Sequence, residues 1–509
     1  MMAGMTVIRY GTPRARWVLA ATALGSGMAF LDGTVVNVAL PAMGRDLDAD
    51  VAGLQWILNG YMLMLAALIL LSGTLGDRFG RRRLFVIGIV WFAVASAVCA
   101  VAPTLPVLVA GRILQGVGGA LLTPGSLAIL QTTFRAEDRG RAVGAWSGMT
   151  AVAGAVGPFV GGWLVDVSSW RYIFLLNLPL AAVTVAITLR HVPESRDDEP
   201  EGPLDLAGAA LATTGLGALT YGLIAAGDRG FGDATVLVTL LGGVALLAAF
   251  VVTELRSGHP MLPPAIFANL RFTGANLVTV VVYGALGTAT FLLVVYLQQV
   301  LGYSALESGA ALLPMTLLML GLSGRSGQLS DQVGARLPMT AGPLLMAAGF
   351  LLMYRARPGS SYLFVVLPAV VVLGLGLVAT VAPLTATVLS SVEDRHAGLA
   401  SGVNNAVARS AQLFAVAGIP IAAGITGDAY RDPVALGDGF RTAMWISAAL
   451  AALGGLVAFV TIGARQPAAA QPEPAPVPAR AGNRHCALEA PPLSSCPGST
   501  ASTTTRDAA

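Results

Sequence analysis

Residues 73–82 read GTLGDRFGRR, and residues 327–336 read GQLSDQVGAR. Gly, Leu, Asp, Gly and the final Arg recur in the same order and at the same spacing. Each copy follows a long apolar run, so each is expected to form a charged corner between two membrane-spanning helices. A chain that is duplicated in this way, with its corners kept, is typical of two-fold membrane transporters.

Composition places the chain in the same class. Hydrophobic residues make up 55% of the 509 residues and charged residues only 11%, which is less than half the charged fraction of an average soluble domain. Apolar runs of about 20 residues recur along the chain, and they predict an all-α polytopic membrane protein. All 30 basic residues are Arg, so the chain lacks the Lys of a phosphate-binding loop and is not expected to hydrolyse ATP in that way.

Cysteine and histidine positions argue against an enzyme or a metalloprotein. Cys99 stands alone in an apolar run, and Cys486 and Cys496 lie near the C-terminus without the spacing of a metal site. The four His residues fall in predicted loops or near the C-terminus, so no catalytic Ser/His or Cys/His pair is expected within the membrane. We therefore predict no metal, no cofactor, no enzymatic activity and no nucleic-acid partner.

The apolar runs predict fourteen membrane spans. They are expected at residues 17–41, 52–76, 84–103, 105–129, 141–165, 171–190, 205–226, 235–254, 272–300, 306–329, 337–355, 361–386, 397–425 and 440–463. The charged corners end spans 2 and 10, so spans 1–6 match spans 9–14, and spans 7 and 8 form an inserted pair. The predicted parts are a cytoplasmic N-terminus (1–16), an N-terminal six-helix bundle (17–190), two inserted helices with their loops (191–271), a C-terminal six-helix bundle (272–463) and a disordered cytoplasmic tail (464–509).

Arginine counts predict the orientation in the membrane. With the N-terminus inside and the tail left out, seventeen Arg residues lie on the cytoplasmic side and seven on the opposite side. An excess of basic residues on the cytoplasmic side is the usual topology signal. Both ends of the chain are therefore predicted to lie in the cytoplasm, with the protein in the cell membrane.

Asp32 interrupts the first predicted span, roughly 13 Å from its end at 1.5 Å per residue. A carboxylate at this depth is costly to keep charged unless it faces water or a cation, and it can bind or release a proton as its surroundings change. Asp32 is therefore a candidate proton-binding group. The alternative is a structural Asp that bonds to a neighbouring backbone group.

Arg112 lies in the fourth predicted span, within the sequence GRILQGVGG. Helical spacing puts Arg112, Gln115, Gly116 and Gly119 on one face, where the glycines permit close approach of another helix. We expect Arg112 to face the interior and to share a low-dielectric space with Asp32, so that each group alters the proton affinity of the other. The alternative is a position near the membrane surface, with the side chain reaching outward to water.

Two further motifs are candidates for conformational switching. Asp77 lies among four arginines, where an acid does not help to anchor a loop, so we expect it to pair with Arg78 or Arg81 in one conformation and to release in another. The fifth span combines small residues with a proline that permits bending: Gly154, Gly157, Pro158, Gly161 and Gly162. The alternatives are a basic topology anchor for the corner and plain close packing for the fifth span.

These stretches resemble hallmark motifs of the major facilitator superfamily. The corner at residues 73–84, the Arg112 stretch and residues 154–162 resemble three of them, the third being the antiporter motif. LDGTVVNVALP at residues 31–41, WRYIFLLNLP at 170–179, and YLQQ followed by LGYS at 296–304 resemble the fourteen-span drug:proton antiporters, the QacA/EmrB-like branch. The resemblance covers about residues 17–463.

The resemblance implies export of toxic small molecules by alternating access, driven by the proton gradient. It implies that Asp32 is the proton site, that Arg112 is its coupling partner, and that the corners carry the gating residues Gly73, Asp77, Arg78, Gly80, Arg81 and Asp331. The second corner has Gln332 and Ala335 where the first has basic residues, so asymmetric gating is expected. No acid lies deep in spans 9 to 14, which favours neutral, zwitterionic or anionic substrates over dications.

We expect an amphipathic small molecule to bind near the midplane, between the halves of a monomer within the lipid bilayer. The candidate pocket residues are Met28, Trp56, Tyr61, Gln115, Asn404, Asn405 and, as an anion partner, Arg409. Interhelical hydrogen bonding or packing is the alternative role for these side chains. For the whole protein, the alternatives are a nutrient importer or an exporter of a lipid, siderophore or metabolite with the same fold, a non-transporting membrane sensor, and a membrane enzyme.

Overall fold

The computed structural model describes residues 7–197, 202, 204–393 and 397–463. These residues form sixteen α-helices, with a π-helical turn at Tyr362–Val366 before α14. The helices are α1 (Pro13–Asp46), α2 (Val51–Phe79), α3 (Arg81–Ala100), α4 (Leu105–Thr133), α5 (Ala136–Val167), α6 (Arg171–Leu175), α7 (Asn177–His191), α8 (Leu206–Arg229), α9 (Ala234–Arg256), α10 (Leu270–Gln299), α11 (Ala305–Ala311), α12 (Leu313–Val333), α13 (Arg336–Met353), α14 (Leu367–Ser390), α15 (Ala397–Ala422) and α16 (Pro433–Thr461).

Thirteen helical segments of the described residues are long and apolar enough to cross a membrane. In this count α6 and α7 make one segment, as do α11 and α12. α15 is a further long helix that carries Asn404, Asn405 and Arg409, and it packs against α2, α8 and α10. Within the described residues, the long helices therefore match the fourteen predicted spans in number and order.

The two repeated corners share one backbone feature. α2 ends at Phe79 and α12 ends at Val333, and each is followed by a glycine with positive φ, Gly80 at +106° and Gly334 at +87°. A residue with a Cβ rarely adopts this conformation, whereas glycine does so readily. The glycines of the repeated sequence thus end the matching helices at matching positions.

The helices pack as two bundles that repeat the same neighbours. α1 packs on α5 and α2 on α4 in the first bundle, as α10 packs on α15 and α12 on α14 in the second. α3 lies against α4 and α7, as α13 lies against α14 and α16. The bundles meet where α2 crosses α15 and where α5 contacts α11.

The inserted helices α8 and α9 pack on each other, and α8 also contacts α2 and α15. The pair of inserted helices therefore lies beside the contact between α2 and α15, which is one of the places where the two bundles meet. α9 exposes most of its apolar surface, and its exposed side chains include Leu237, Val238, Leu241 and Val244. An apolar helix surface of this kind is suited to lipid.

The helix ends define two faces of the molecule. The corner face carries Gly80 and Gly334, and the far face is the opposite one, where α1 ends at Asp46 and α16 begins at Pro433.

The last span was predicted to begin at residue 440, but α16 begins earlier, at Pro433. Asp432 accepts a hydrogen bond from Val434 N and caps the helix, and proline is favoured at the first helical position. Residues 433–439 lie outside the predicted span, but α16 includes them. The predicted tail at residues 464–509 lies outside the described residues.

Candidate functional site

A cavity lies between the two bundles. Its lining comes from α1, α2 and α4 of the first bundle and from α10 and α15 of the second. Polar side chains in this lining include those of Asn37, Asn59, Tyr61, Thr290, Arg409 and Gln412. The cavity is therefore formed by both halves of the repeat, as a central substrate site would be.

A buried ion pair lies directly behind this cavity. Asp32 of α1 and Arg112 of α4 are both almost fully buried, and Arg112 Nη1 lies 2.5 Å from Asp32 Oδ2. Arg112 Nε also donates a hydrogen bond of 3.0 Å to the backbone oxygen of Ile57. A buried charge is stable only when it is paired and hydrogen-bonded, and this arrangement supplies both conditions.

Neutral side chains complete the hydrogen bonding of the pair. Gln115 accepts a hydrogen bond of 2.7 Å from Arg112 and donates one of 3.1 Å to Asp32 Oδ1. Asn177 of α7 donates to the same Asp32 oxygen at 3.3 Å, and Ser96 of α3 accepts hydrogen bonds from Gln115 and Asn177. Asp32 of α1 is thus held by side chains of two other helices, α4 and α7.

Tyr61 connects the ion pair with the cavity. Its ring lies beneath the guanidinium of Arg112, with 4.6 Å between the guanidinium carbon and the ring centroid, and the same residue lines the cavity. Phe30 and Gly33, which flank Asp32 on α1, also line the cavity. A molecule in the cavity therefore lies within one layer of side chains of the ion pair.

The predicted pocket residues divide into two groups. Tyr61 and Arg409 line the cavity, and Gln115 lies behind it in the hydrogen-bond network. Trp56 instead packs beside Tyr221 of α8, with ring centroids 6.3 Å apart. The remaining three also lie elsewhere: Met28 is buried in the first bundle, Asn404 donates to Asn276 and Thr279, and Asn405 donates to the backbone of Ser401.

The first charged corner contains an ion pair between the end of α2 and the start of α3. Arg81 Nη2 lies 2.6 Å from Asp77 Oδ1, and Arg78 donates a hydrogen bond of 3.4 Å to Gly202 O. A Cβ at Gly73 would meet no atom within 4 Å, so the structure gives no packing reason for that glycine. Position 331 lies in α12, and its side chain is outside the described part of the structure.

The chain that follows α7 covers this corner. Glu194 accepts hydrogen bonds from the backbone N–H groups of Arg82 and Arg83 at the start of α3, and Arg81 N donates to Ser195 O. A Cβ at Gly80 would lie 2.8 Å from Glu194 Oε1. The corner is thus bound to a segment of its own bundle, and the positive φ of Gly80 favours glycine at this position.

The Gly-rich stretch of α5 fits closely against α1. A Cβ at Gly157 would overlap the hydroxyl of Thr34, and one at Gly161 would lie 2.6 Å from Val35 Cγ1. Two helices approach this closely only where one of them has no side chain. These two glycines therefore set the spacing inside the first bundle.

The other side of the same stretch contacts the second bundle at the far face. A Cβ at Gly162 would lie 2.5 Å from the backbone oxygen of Ala305 in α11, and one at Gly309 would overlap the backbone oxygen of Pro158. Gly154 differs, since a Cβ there would meet nothing within 4 Å. Pro158 and Gly162 thus lie in the contact between the halves.

Several hydrogen bonds between the bundles lie toward the far face. Among them are Gln298 Nε2 to Val38 O (2.8 Å), Gln55 Nε2 to Val416 O (2.7 Å), Ala305 N and Leu306 N to the Asp166 carboxylate (3.1 and 2.8 Å), Arg431 to Asp48 (2.5 Å), and the Tyr430 hydroxyl to Ala49 O. The far face is therefore closed in this structure.

A sequence model described as the Major Facilitator Superfamily matches residues 22–416. The chain belongs to the major facilitator superfamily. Members of this superfamily are membrane transporters rather than enzymes, so this major facilitator protein is a multi-pass transporter. Asp32, Arg112 and all the residues that line the cavity lie within the matched part.

The relatives of this major facilitator protein include resistance and export proteins. The tetracenomycin C resistance and export protein of Streptomyces glaucescens is 34% identical over 416 residues, which cover 81% of this chain and 77% of that protein. The cephamycin export protein of Amycolatopsis lactamdurans is 37% identical over 407 residues, covering 79% and 83%. A crystal structure of a D-xylose–proton symporter has a TM-score of 0.61 at 15% identity, covering 88% of this chain and 98% of that one, and this likeness concerns the fold alone.

Three polar residues of the site were not singled out from the sequence. Asn177 and Ser96 hold the Asp32 network, and Asn59 is buried beside the cavity. Asn177 begins α7 directly after the short break at Leu176. An amide that interrupts an otherwise apolar span is itself a signal of a buried polar network, and it could have identified Asn177.

Proposed function

We propose that this transporter is a proton-coupled exporter of antibiotics or other toxic small molecules, of the fourteen-span drug:proton antiporter type. Asp32 is the proton site and Arg112 is its coupling partner. The observation that carries the proposal is the ion pair between these two residues, buried one side-chain layer from the central cavity. The names of the relatives favour export over import.

The coupling follows from the cost of an unpaired buried charge. With Asp32 ionised, the guanidinium of Arg112 is compensated at 2.5 Å. A proton on Asp32 removes the negative charge and leaves Arg112 uncompensated in a low-dielectric interior, which disfavours this arrangement of α1 and α4. Proton binding thus shifts the conformational equilibrium toward a state in which Arg112 is hydrated or otherwise paired.

We assign this structure a place in the transport cycle from its closed far face. If the corner face is cytoplasmic, as the arginine counts predict, both chain ends lie in the cytoplasm, and we propose that the cavity is reached from the cytoplasm in this state. Asp32 then releases its proton inward and the substrate enters from the cytoplasm. The opposite state, open at the far face, takes up a proton and releases the substrate outside the cell.

Proton flux in proteoliposomes tests the export proposal. Purified protein is reconstituted with a pH dye inside, an inside-acidic gradient is imposed, and a panel of antibiotics and dyes is added to the outside. We expect at least one compound to cause lumenal alkalinisation that empty liposomes do not show. A panel that is transported with no accompanying proton movement would overturn proton coupling, and the exporter would then need another driving ion or act as a facilitator.

The far-face contact between Asp166 and α11 carries a separate prediction. Asp166→Ala removes the acceptor for Ala305 N and Leu306 N, and because Asp166 is exposed we expect a loss of about 1 kcal/mol, or about fivefold in the closed fraction. Hydrogen–deuterium exchange of the 304–311 peptide should accelerate accordingly. Asp438→Ala is the control, since its ion pair with Arg441 lies within α16, and equal exchange in the two variants would contradict the prediction.

A further inference from the structure

We propose that the central cavity binds an organic anion, with Arg409 as its counter-charge and the Asn59 amide as a second polar contact. This inference rests on the proposed export function and names the substrate class of the same cavity. Three observations carry it, and they concern the pairing of Arg409, the charge of the cavity lining and the unbonded amide of Asn59.

The described contacts of Arg409 are with uncharged groups. Its Nη1 lies 3.5 Å from Gln412 Oε1 and 3.9 Å from Met62 Sδ, and its guanidinium carbon lies 6.0 Å from the ring centroid of Phe30. Among the described residues, no carboxylate lies within ion-pair distance of Arg409. Arg112, the other arginine deep in the helices here, is neutralised by Asp32, so Arg409 leaves a net positive charge at the site.

The cavity lining holds no opposing charge. Arg409 is the single charged residue in the lining that the described residues provide, and no Asp or Glu accompanies it. A cation in a water-poor cleft attracts anions and repels cations, because the field of one sign is focused by the low-dielectric walls. The half-buried guanidinium also has donors to spare, and a planar fork of this kind suits a carboxylate or a similar oxyanion.

The Asn59 amide supplies the third observation. Its side chain is buried, with 1% of its surface exposed, yet neither the nitrogen nor the oxygen of its amide has a hydrogen-bond partner. Buried amides in proteins are normally hydrogen-bonded, and an exception needs an explanation. Asn59 lines the same cavity as Arg409, so a bound polar molecule would satisfy the amide.

The apolar residues of the cavity lining indicate the chemistry of the rest of the ligand. Phe30 is 43% exposed, and Phe30, Leu65 and Val416 give the cavity aromatic and aliphatic surface. The ligand is therefore an amphipathic anion, with an acidic group toward Arg409 and an apolar or aromatic body against Phe30.

A matched pair of dyes tests the inference. Fluorescein is anionic and rhodamine 6G is cationic, and both are built on a xanthene ring system. Binding to the purified detergent-solubilised protein is followed by fluorescence anisotropy for the wild type, Arg409→Gln, Arg409→Lys and the control Arg441→Gln, whose arginine pairs with Asp438 in α16. We expect the wild type and Arg441→Gln to favour fluorescein, and Arg409→Gln to bind it about tenfold or more weakly, with Arg409→Lys retaining most of the preference.

Asn59→Ala tests the contribution of the amide separately from that of the Arg409 charge. This variant should bind both dyes more weakly by a similar factor and leave the anion-to-cation ratio of Kd values unchanged. Size-exclusion profiles and thermal unfolding of each variant establish that the protein is folded. A ratio that is the same in the wild type and Arg409→Gln, or fluorescein binding too weak to measure in the wild type, overturns the inference.

The outcomes also separate this inference from the export proposal. Proton-driven accumulation of rhodamine 6G, with a charge preference that does not depend on Arg409, would leave the export proposal standing and overturn the anion site. An Arg409-dependent preference for fluorescein, in a protein that moves neither dye nor protons, would support the anion site and overturn the export proposal.

Discussion

Asp32→Asn should reduce substrate-evoked proton flux to the level of empty liposomes. The variant cannot bind a proton at this position, and it leaves the Arg112 guanidinium buried without a counter-charge. Removing one partner of a buried ion pair costs about 3–5 kcal/mol, which corresponds to a factor of roughly 150 to 4,000 in a conformational equilibrium. The effect therefore combines loss of the proposed proton site with a shifted equilibrium, and it is the largest that we expect from one substitution.

Asp46→Asn is the matched control for Asp32→Asn. Asp46 is a second aspartate of α1 that pairs with an arginine, Arg171, at 2.6 Å. The Asp46 side chain is 46% exposed, and exposed ion pairs contribute little to stability. The proton flux of the Asp46→Asn variant should therefore stay close to that of the wild type. Binding of the substrate to folded Asp32→Asn protein distinguishes uncoupling from misfolding. Full flux in that variant would remove Asp32 from the mechanism and leave the ion pair a structural role.

The number of helices and the position of the corners could be predicted because both depend on local sequence. An apolar run long enough to cross a bilayer forms a helix in almost any context. Glycine at positions 80 and 334 ends a helix because of its own backbone freedom. The depth of Asp32 within its span follows from the same arithmetic of 1.5 Å per residue.

Contacts between helices that are distant in the chain could not be read in the same way. Asn177 and Ser96 reach Asp32 from α7 and α3, and only the packing of the bundle brings these helices together. Trp56 was expected in the cavity, but it packs beside Tyr221. That side of α2 is covered by the inserted helix α8, and the two-fold repeat contains no information on where an insertion packs.

Arg409 shows the same division between local and tertiary information. The sequence reveals an arginine in an otherwise apolar span, but a charge in a span can face an acid, a headgroup or a cavity. The structure gives it no carboxylate partner among the described residues and places it in the cavity lining. Its proposed role depends on that missing partner, which is a property of the folded molecule.

Gly162→Val should prevent full closure of the far face. A Cβ at Gly162 would lie 2.5 Å from the backbone oxygen of Ala305, and a backbone atom cannot rotate away as a flexible side chain can. Overpacking typically costs about 1–3 kcal/mol, so the closed state should fall by a factor of about 5 to 150 relative to the open one. Transport should fall with it, because alternating access needs both states.

Gly154→Val in the same helix is the matched control, because a Cβ there meets nothing within 4 Å while the change in helix propensity is the same. Spin labels at Ser168 and Ser361, one on each half at the far face, report the opening as a longer distance by double electron–electron resonance. We expect the longer distance to dominate in Gly162→Val alone. If Gly154→Val opened the far face equally, the cause would be the stiffness of a β-branched residue in α5, and the close approach of Gly162 to α11 would have no gating role.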